Sequence, residues 1–354
     1  MNLNATNKLI KKTRRWHKKT GFSLFQRAAC HFERKKKEAI FSIIDDLKVQ
    51  PDDSHTAEPM QSNIIWICWF QGLDNAPELV KHCVDSVYKH SNGYEIIIIT
   101  EDNFSDYITL PDVIVEKYNS ELIGKAHFSD LLRCCLLYEY GGVWLDSTIF
   151  MAHDLPSYLA NSSFCSLRFT PADCSGSISN GFWTTYFLVS EKNGYLIGNV
   201  MNVLLEYWQK HDKIIDYFLM DYIFSYYFEN DSHSREIILS QPVLGENRFL
   251  LKNSMNEHFS LEIQKQFMED PIGIYKLSYK GSYRTSNNGQ PTIYSLILDG
   301  TFELKLEKSH HDGGLLSSGF LTPSLPLLLD VFDQRTVTDA VSDDREEAGR
   351  VDRF

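Results

Sequence analysis

Between Ala126 and Phe150 the chain reads AHFSDLLRCCLLYEYGGVWLDSTIF, a stretch that holds the residue types from which a polar site can be built. Asp130 and Arg133 stand three apart in a run with helical spacing, which puts a carboxylate and a guanidinium on one face. Gly141 and Gly142 end that helix and let the following segment pass close to it. Asp146 comes next, near the end of an apolar, strand-like run, and Thr148 offers a second oxygen two residues on. In an open parallel sheet, ligands bind in the crevice outside the carboxyl ends of the strands, so topology sets Asp146 at such a crevice. A carboxylate and a hydroxyl there could hold a hard divalent cation through oxygen. An ordinary helix-strand junction with a surface Asp-Arg pair accounts for the same residues without any chemistry.

The elements needed to position these groups are legible around them. Ile64 to Trp69 reads as a buried strand, and Leu79, Cys83 and Val87, with Val80, Val84 and Tyr88 beside them, form an amphipathic helix stopped by Asn92-Gly93. Tyr94 to Thr100 (YEIIIIT) is β-branched and predicts a central strand buried on both faces. Phe128, Leu131, Leu132, Cys135 and Leu136 mark a second helix, followed by a strand over Val143 to Phe150. This alternation predicts an α/β fold with a mostly parallel central sheet flanked by helices. Further on, the pattern predicts a strand at Phe164 to Phe169, a loop and strand over Asn180 to Val189, and helices at Ile197 to Gln209 and Ile214 to Phe228. Asp221 lies four residues after Tyr217 at the border of an apolar stripe, where a carboxylate could orient or deprotonate a hydroxyl, or serve only as a satisfied structural acid. Lys276 and Lys280 in YKLSYK could meet a diphosphate, or lie at a solvated strand end.

Composition narrows the function classes. The 354 residues are 43% hydrophobic and 23% charged, which provides for one large domain or two modest ones and excludes wholesale disorder. A net charge of -12 argues against a general binder of nucleic acid. Seven cysteines with no CxxC pair fit a reduced, cytoplasmic compartment, and no apolar run nears the roughly 20 residues of a membrane span. No secretory signal is expected at the basic N-terminus.

Charge is unevenly spread. Residues 8 to 37 carry about +11, leaving about -23 on the rest, and Trp16, Phe22, Leu24, Phe25 and Phe32 are interleaved with the cations. That pattern fits a helix lying on the anionic inner face of a membrane, or equally a solvated basic helix packed on the body. We therefore divide the chain into a basic helical extension and linker at 1–59, a central domain at 60–308, and an atypical tail at 309–354. The tail lacks Lys, Ile, Asn and Tyr altogether, and its composition predicts disorder. His310-His311-Asp312 falls in this tail and is discounted as a metal cluster.

The run SDLLR, six residues, then YGGVWLDSTIF resembles the donor-site signature of the capsular polysaccharide synthesis glycosyltransferases, a group similar to the DxD-motif mannosyltransferases and the glucosylating clostridial toxins. The likeness extends to IIWICWFQG upstream and to NGFWTTYF, LLEYW, KIIDYFLMDYIF and YKLSYK downstream, over roughly residues 60 to 308. It implies a GT-A fold, a nucleotide-diphosphate sugar donor and glycosyl transfer to a glycan or lipid-linked acceptor. By the resemblance, Trp69 stacks on the donor base, Asp130 bonds ribose or sugar hydroxyls, Arg133 meets sugar and phosphate, and Asp146 is the first Asp of DxD, in contact with metal or sugar. Trp144, Thr148 and Lys280 join the donor site, and Asp221 joins Asp146 as a catalytic candidate. Thr148 stands where the wider superfamily has its second Asp, which weakens the case for Mn2+ or Mg2+ while leaving it the expected cofactor. Trp183 is a candidate donor or acceptor wall, or a buried core residue. Two other classes share these features: a catalytically inactive glycan-binding scaffold, and a sugar-nucleotide hydrolase or nucleotidyltransferase. Since the donor motifs begin at Ile64, residues 1–50 are expected to be removable without loss of donor binding.

Overall fold

The computed structural model describes residues 3–50, 62–160, 162–170 and 177–304, so the linker at 51–59 and the tail at 309–354 lie outside the described residues. The chain opens with two helices, α1 (Leu3–Thr20) and α2 (Ser23–Leu47). Then come β1 (Ile64–Cys68), α3 (Glu78–His90), β2 (Glu95–Ile99), α4 (Phe104–Tyr107), α5 (Asp112–Asn119), α6 (Lys125–Tyr140) and β3 (Gly142–Asp146). After these follow β4 (Ile149–Met151), α7 (Ser157–Ala160), β5 (Phe164–Ser166), β6 (Phe187–Ser190), α8 (Tyr195–Lys210), α9 (Leu219–Asn230) and α10 (Ser232–Ser240). The last described elements relevant here are α11 (Leu250–Ser254), α12 (Leu261–Glu269), β7 (Ile274–Lys276) and α13 (Ile293–Leu298).

The central sheet has the order β2-β1-β3-β6-β5. β1 pairs parallel with β2 and β3, whereas β6 is antiparallel to both β3 and β5, so four of the five strands point the same way. Side chains alternate across it with the period of two that a strand imposes. Trp66, Trp144 and Leu188 face a core shared with α6, α8 and α9, while Ile65, Ile67, Val143, Leu145, Phe187 and Val189 face a second core with Val84 and Val87 of α3.

The turn from α6 into β3 depends on glycine. Gly142 has φ 102°, and a Cβ there would stand 2.4 Å from the Ile64 carbonyl oxygen of β1, so only glycine lets β3 seat beside β1. The Trp66 indole N–H closes the corner by donating to the Gly141 carbonyl at 3.0 Å.

Three sequence expectations change. The YEIIIIT strand is the sheet's edge, with Glu95 exposed and Ile96 to Ile98 half-buried, because the next crossover enters on the far side of β1. A continuous β-branched run cannot distinguish edge from centre. The strand expected over Val143 to Phe150 breaks at Ser147-Thr148, where β4 leaves the sheet to pair antiparallel with β7. The helix expected from Ile214 begins only at Leu219, because the Asp216 carboxylate accepts from the Phe218 backbone N–H at 3.2 Å and shapes a turn before it.

The basic segment is two helices packed together, with Arg14 and Glu33 2.5 Å apart and the Trp16 and Phe25 rings 5.4 Å apart. The second half of α2 belongs to the body: Ile40, Ile44 and Leu47 lie in the same core as Trp66 and Trp144. Lys36 and Asp216, both buried, form an ion pair of 2.6 Å, and Tyr226 donates to Asp45 at 2.5 Å. Deleting residues 1–50 would therefore open this core, contrary to the expectation of a removable extension. Among the described residues, no helix is long and apolar enough to cross a membrane.

Candidate functional site

Asp146 closes β3 directly opposite Cys68, the last residue of β1, and so stands at the C-terminal end of the parallel strands. Its backbone N–H donates to the Tyr186 carbonyl at 2.9 Å. Both carboxylate oxygens are engaged. Oδ2 accepts from Lys276 Nζ at 2.9 Å, and Oδ1 accepts from the Trp144 indole N–H at 3.0 Å with Arg133 Nη2 3.3 Å away. The same Nη2 lies 3.3 Å from Asp130 Oδ1, so the helical spacing of Asp130 and Arg133 does bring them together beneath Asp146. Burial alone would raise the Asp146 carboxyl, yet the Lys276 and Arg133 charges and the bonds from Lys276 and Trp144 outweigh it and hold the group at about 2. Burial opposes the Arg133 charge, and the Asp146 and Asp130 carboxylates more than restore it.

Arg133 is held at both Nη atoms and over a ring face. Its guanidinium lies 4.9 Å over the Trp144 ring, and Nη1 donates to the Thr185 carbonyl. Its Nε is buried without a hydrogen-bond partner. Trp144 itself is 1% exposed, so it cannot line a donor pocket as expected and instead orients Asp146 and Arg133 from below.

Lys276 reaches Asp146 because β4 pairs with β7 in a register that sets Ile149 opposite Lys276, with the Leu277 N–H donating to the Thr148 carbonyl at 2.9 Å. Its ammonium also donates to Thr148 Oγ1 at 2.7 Å. Thr148 is buried, and its hydroxyl and the Asp146 carboxylate thus grip an ammonium at the place where a divalent cation was expected. The residues present fit such a cation poorly. One or two carboxylates can hold Mg2+ or Mn2+ when water and diphosphate oxygens complete the shell. Here both Asp146 oxygens and the Thr148 hydroxyl already face Lys276, Arg133 or Trp144, and two fixed positive charges stand where the ion would sit. Among the described residues, no group of three His, Cys, Asp or Glu side chains could hold a metal.

Aromatic rings lie around the Asp146 cluster. Trp69 follows β1 and keeps its ladder, donating its backbone N–H to the Ile99 carbonyl at 2.9 Å, while its buried indole N–H has no hydrogen-bond partner. Tyr279 meets Trp69 edge-on at 5.6 Å. Tyr217 meets His127 at 5.4 Å, and burial together with the Asp130 and Asp146 charges pushes its phenol up to about 12. Lys280 is exposed beside Tyr279, with Nζ 5.6 Å from that ring, and it is Lys276 that touches Asp146.

Asp221 sits in the first turn of α9 and accepts from the Trp183 indole N–H at 3.1 Å. Burial pushes its carboxyl up to about 7 against that hydrogen bond, with Asp130 adding to the rise and Arg133 opposing it, so it belongs to the same electrostatic neighbourhood as the Asp130-Arg133 pair. Trp183 is 2% exposed and stacks on Phe224, which makes it a core residue that holds Asp221 rather than a wall.

The structure thus gathers Asp130, Arg133, Trp144, Asp146 and Thr148, with Lys276 rather than Lys280 from YKLSYK, and Tyr217 at the rim. A signal for Lys276 was present, since it shares YKLSYK with Lys280, but only the β4-β7 register chooses between them. Nothing in the sequence marked Tyr217 beyond its spacing from Asp221.

Comparisons with known proteins follow the same outline. No curated protein matches the chain. Among solved structures, it is similar to one described as PaToxG Glycosyltransferase, at 16% identity and a TM-score of 0.36, over 58% of this chain and 84% of that one, a likeness too loose to carry an argument. The family model described as capsular polysaccharide synthesis protein matches residues 21–297, from the start of α2 almost to the end of α13, and so takes in the second basic helix that the sequence likeness from residue 60 had left out. With well over half of its length matched, the chain belongs to the capsular polysaccharide synthesis protein family.

Proposed function

We propose that the chain is a glycosyltransferase of GT-A type that moves a sugar from a nucleotide-diphosphate donor to a capsular or related surface glycan acceptor. The observation that carries this reading is the Asp146 cluster: two carboxylates and two cations, drawn from α6, β3 and β7, converge outside the ends of parallel strands. Membership of the family supports it.

The chemistry asks for what such a cluster supplies. The bond between the anomeric carbon and the diphosphate oxygen breaks, a bond from the acceptor oxygen forms, and the hydroxyl proton must leave. Arg133 and Lys276 would stabilise the negative charge that grows on the diphosphate, and being held in place they need no reorganisation as it develops. Asp130 and Asp146 would bond sugar or ribose hydroxyls, and Trp69 would pack on the base. Asp221, with its carboxyl near 7, is suited to accept the acceptor's proton at neutral pH. The exposed aromatic tip of α1 and α2, with its cations, would hold the enzyme to the cytoplasmic face of the membrane.

The test is product analysis with a panel of nucleotide sugars and short glycan acceptors. Sugar appearing on an acceptor supports the reading, and Asp146→Asn should then lower turnover on the order of 10²-fold with the fold intact. Free sugar alone would make the chain a sugar-nucleotide hydrolase, and binding without turnover a scaffold.

A further inference from the structure

We propose that the Lys276 ammonium, in place of a divalent metal ion, is the cation that Asp146 presents to the donor's diphosphate. The inference rests on the Asp146 cluster being the donor site, and it concerns how that site meets negative charge.

Three observations converge on it. The ammonium lies 2.9 Å from Asp146 Oδ2 and 2.7 Å from Thr148 Oγ1, so it is held by the two side chains from which a metal-binding DxD-like pair would be made. Its place is built by backbone rather than by a flexible reach: the Lys276 N–H donates to the Arg248 carbonyl at 2.8 Å, and the neighbouring Leu277 N–H to the Thr148 carbonyl at 2.9 Å. Finally, the charge of the site is already balanced. With threonine at 148 the site carries Asp130 and Asp146 against Arg133 and Lys276, which balance before a donor arrives. A second carboxylate at 148 would leave a net negative charge and call for a metal, whereas threonine removes that call.

A lysine ammonium is a compact point charge with three donors. Two are spent on Asp146 and Thr148, which leaves one for a phosphate oxygen. Tyr186, whose ring centroid is 5.3 Å from Nζ, backs the ammonium on another side. Lysine here would do electrostatically what a divalent ion does elsewhere, with half the charge but without the cost of stripping an ion's water shell.

The experiment uses the full chain and two independent readouts. The first is Mn2+ binding followed by electron paramagnetic resonance, with no nucleotide present. The second is calorimetric binding of UDP and GDP with either EDTA or Mn2+. The expected results are no stoichiometric Mn2+ site and nucleoside-diphosphate binding unchanged by EDTA. Lys276→Met should then weaken that binding about tenfold or more, with partial recovery in Lys276→Arg, which keeps the charge and guards against a simple folding defect. One Mn2+ per chain that disappears in Asp146→Asn, or nucleotide binding that requires Mn2+, would overturn the proposal. If neither nucleotide binds under any condition, the donor-site reading fails, while the Mn2+ measurement still decides which cation Asp146 holds.

Discussion

Trp183 donates its indole N–H to Asp221 Oδ1 at 3.1 Å across 38 residues of chain, and this contact joins the loop before β6 to the first turn of α9. The bond favours the carboxylate, but burial wins and lifts the group to about 7. Folded protein therefore binds a proton that unfolded chain, titrating near 4, has released. Stability from this residue falls as pH rises from about 4 to 7, and the penalty is complete above that. Asp221→Asn keeps an oxygen for Trp183 and removes the penalty. The stability of the variant relative to the parent should thus grow by roughly 2 to 3 kcal/mol between pH 5 and pH 8 in urea unfolding. The same substitution should cost turnover and abolish a rate rise centred near pH 7. A variant that is no more stable at pH 8 and turns over normally would leave Asp221 an ordinary core acid.

Arg133→Lys separates charge from shape. A planar guanidinium reaches Asp130, Asp146 and the Thr185 carbonyl while stacking on Trp144, and a single ammonium cannot match all four. The variant should lose about 1 to 3 kcal/mol of nucleoside-diphosphate affinity by calorimetry. A lower melting temperature with unchanged affinity would show that the pair is structural only.

Lys36 and Asp216 link the second basic helix to the turn that carries Tyr217. Both are buried, so removing one partner strands the other's charge, a loss on the order of 3 to 5 kcal/mol. Lys36→Met should show that loss in denaturant unfolding, and adding Asp216→Asn, which still accepts from Phe218, should recover much of it. Equal stability of the single and double variants would mean that the pair is uncoupled.

How far the sequence foretells the site depends on how local each contact is. Asp130, Arg133 and Asp146 fall within one helix-turn-strand unit, where period and the Gly141-Gly142 turn suffice to bring them together. Lys276 lies 130 residues from Asp146, and it arrives through a three-residue ladder between β4 and β7 that no periodicity announces. Trp144 and Trp183 were candidates for pocket walls because an aromatic in a strand or loop reads the same whether it faces ligand or core. Their burial is decided by α6, α8 and α9 packing over the sheet. The same holds for β2, whose edge position follows from crossover direction rather than composition.

The tip of the N-terminal helix pair offers the last test. Phe22 is 66% exposed and Leu24 72%, with Trp16 beside them and Lys18, Lys19 and Arg27 exposed around the turn, while the far end of α2 is sunk in the core. An apolar tip collared by cations on a chain of net charge -12 is the pattern of a surface that meets anionic lipid, which repels the rest of the molecule. Because deleting residues 1–50 would take Ile40, Ile44 and Leu47 out of the core and expose the side chains they cover, point substitutions are the cleaner probe. Phe22→Ser with Leu24→Ser should abolish co-sedimentation with phosphatidylserine vesicles while leaving nucleotide binding and melting temperature unchanged. Lys18→Gln with Lys19→Gln should weaken it by on the order of 1 kcal/mol per charge at low salt, and by less as salt shortens the screening length. Sedimentation that is equal for the parent and the Phe22-Leu24 variant would mean that the tip serves no membrane and the helix pair only packs on the body.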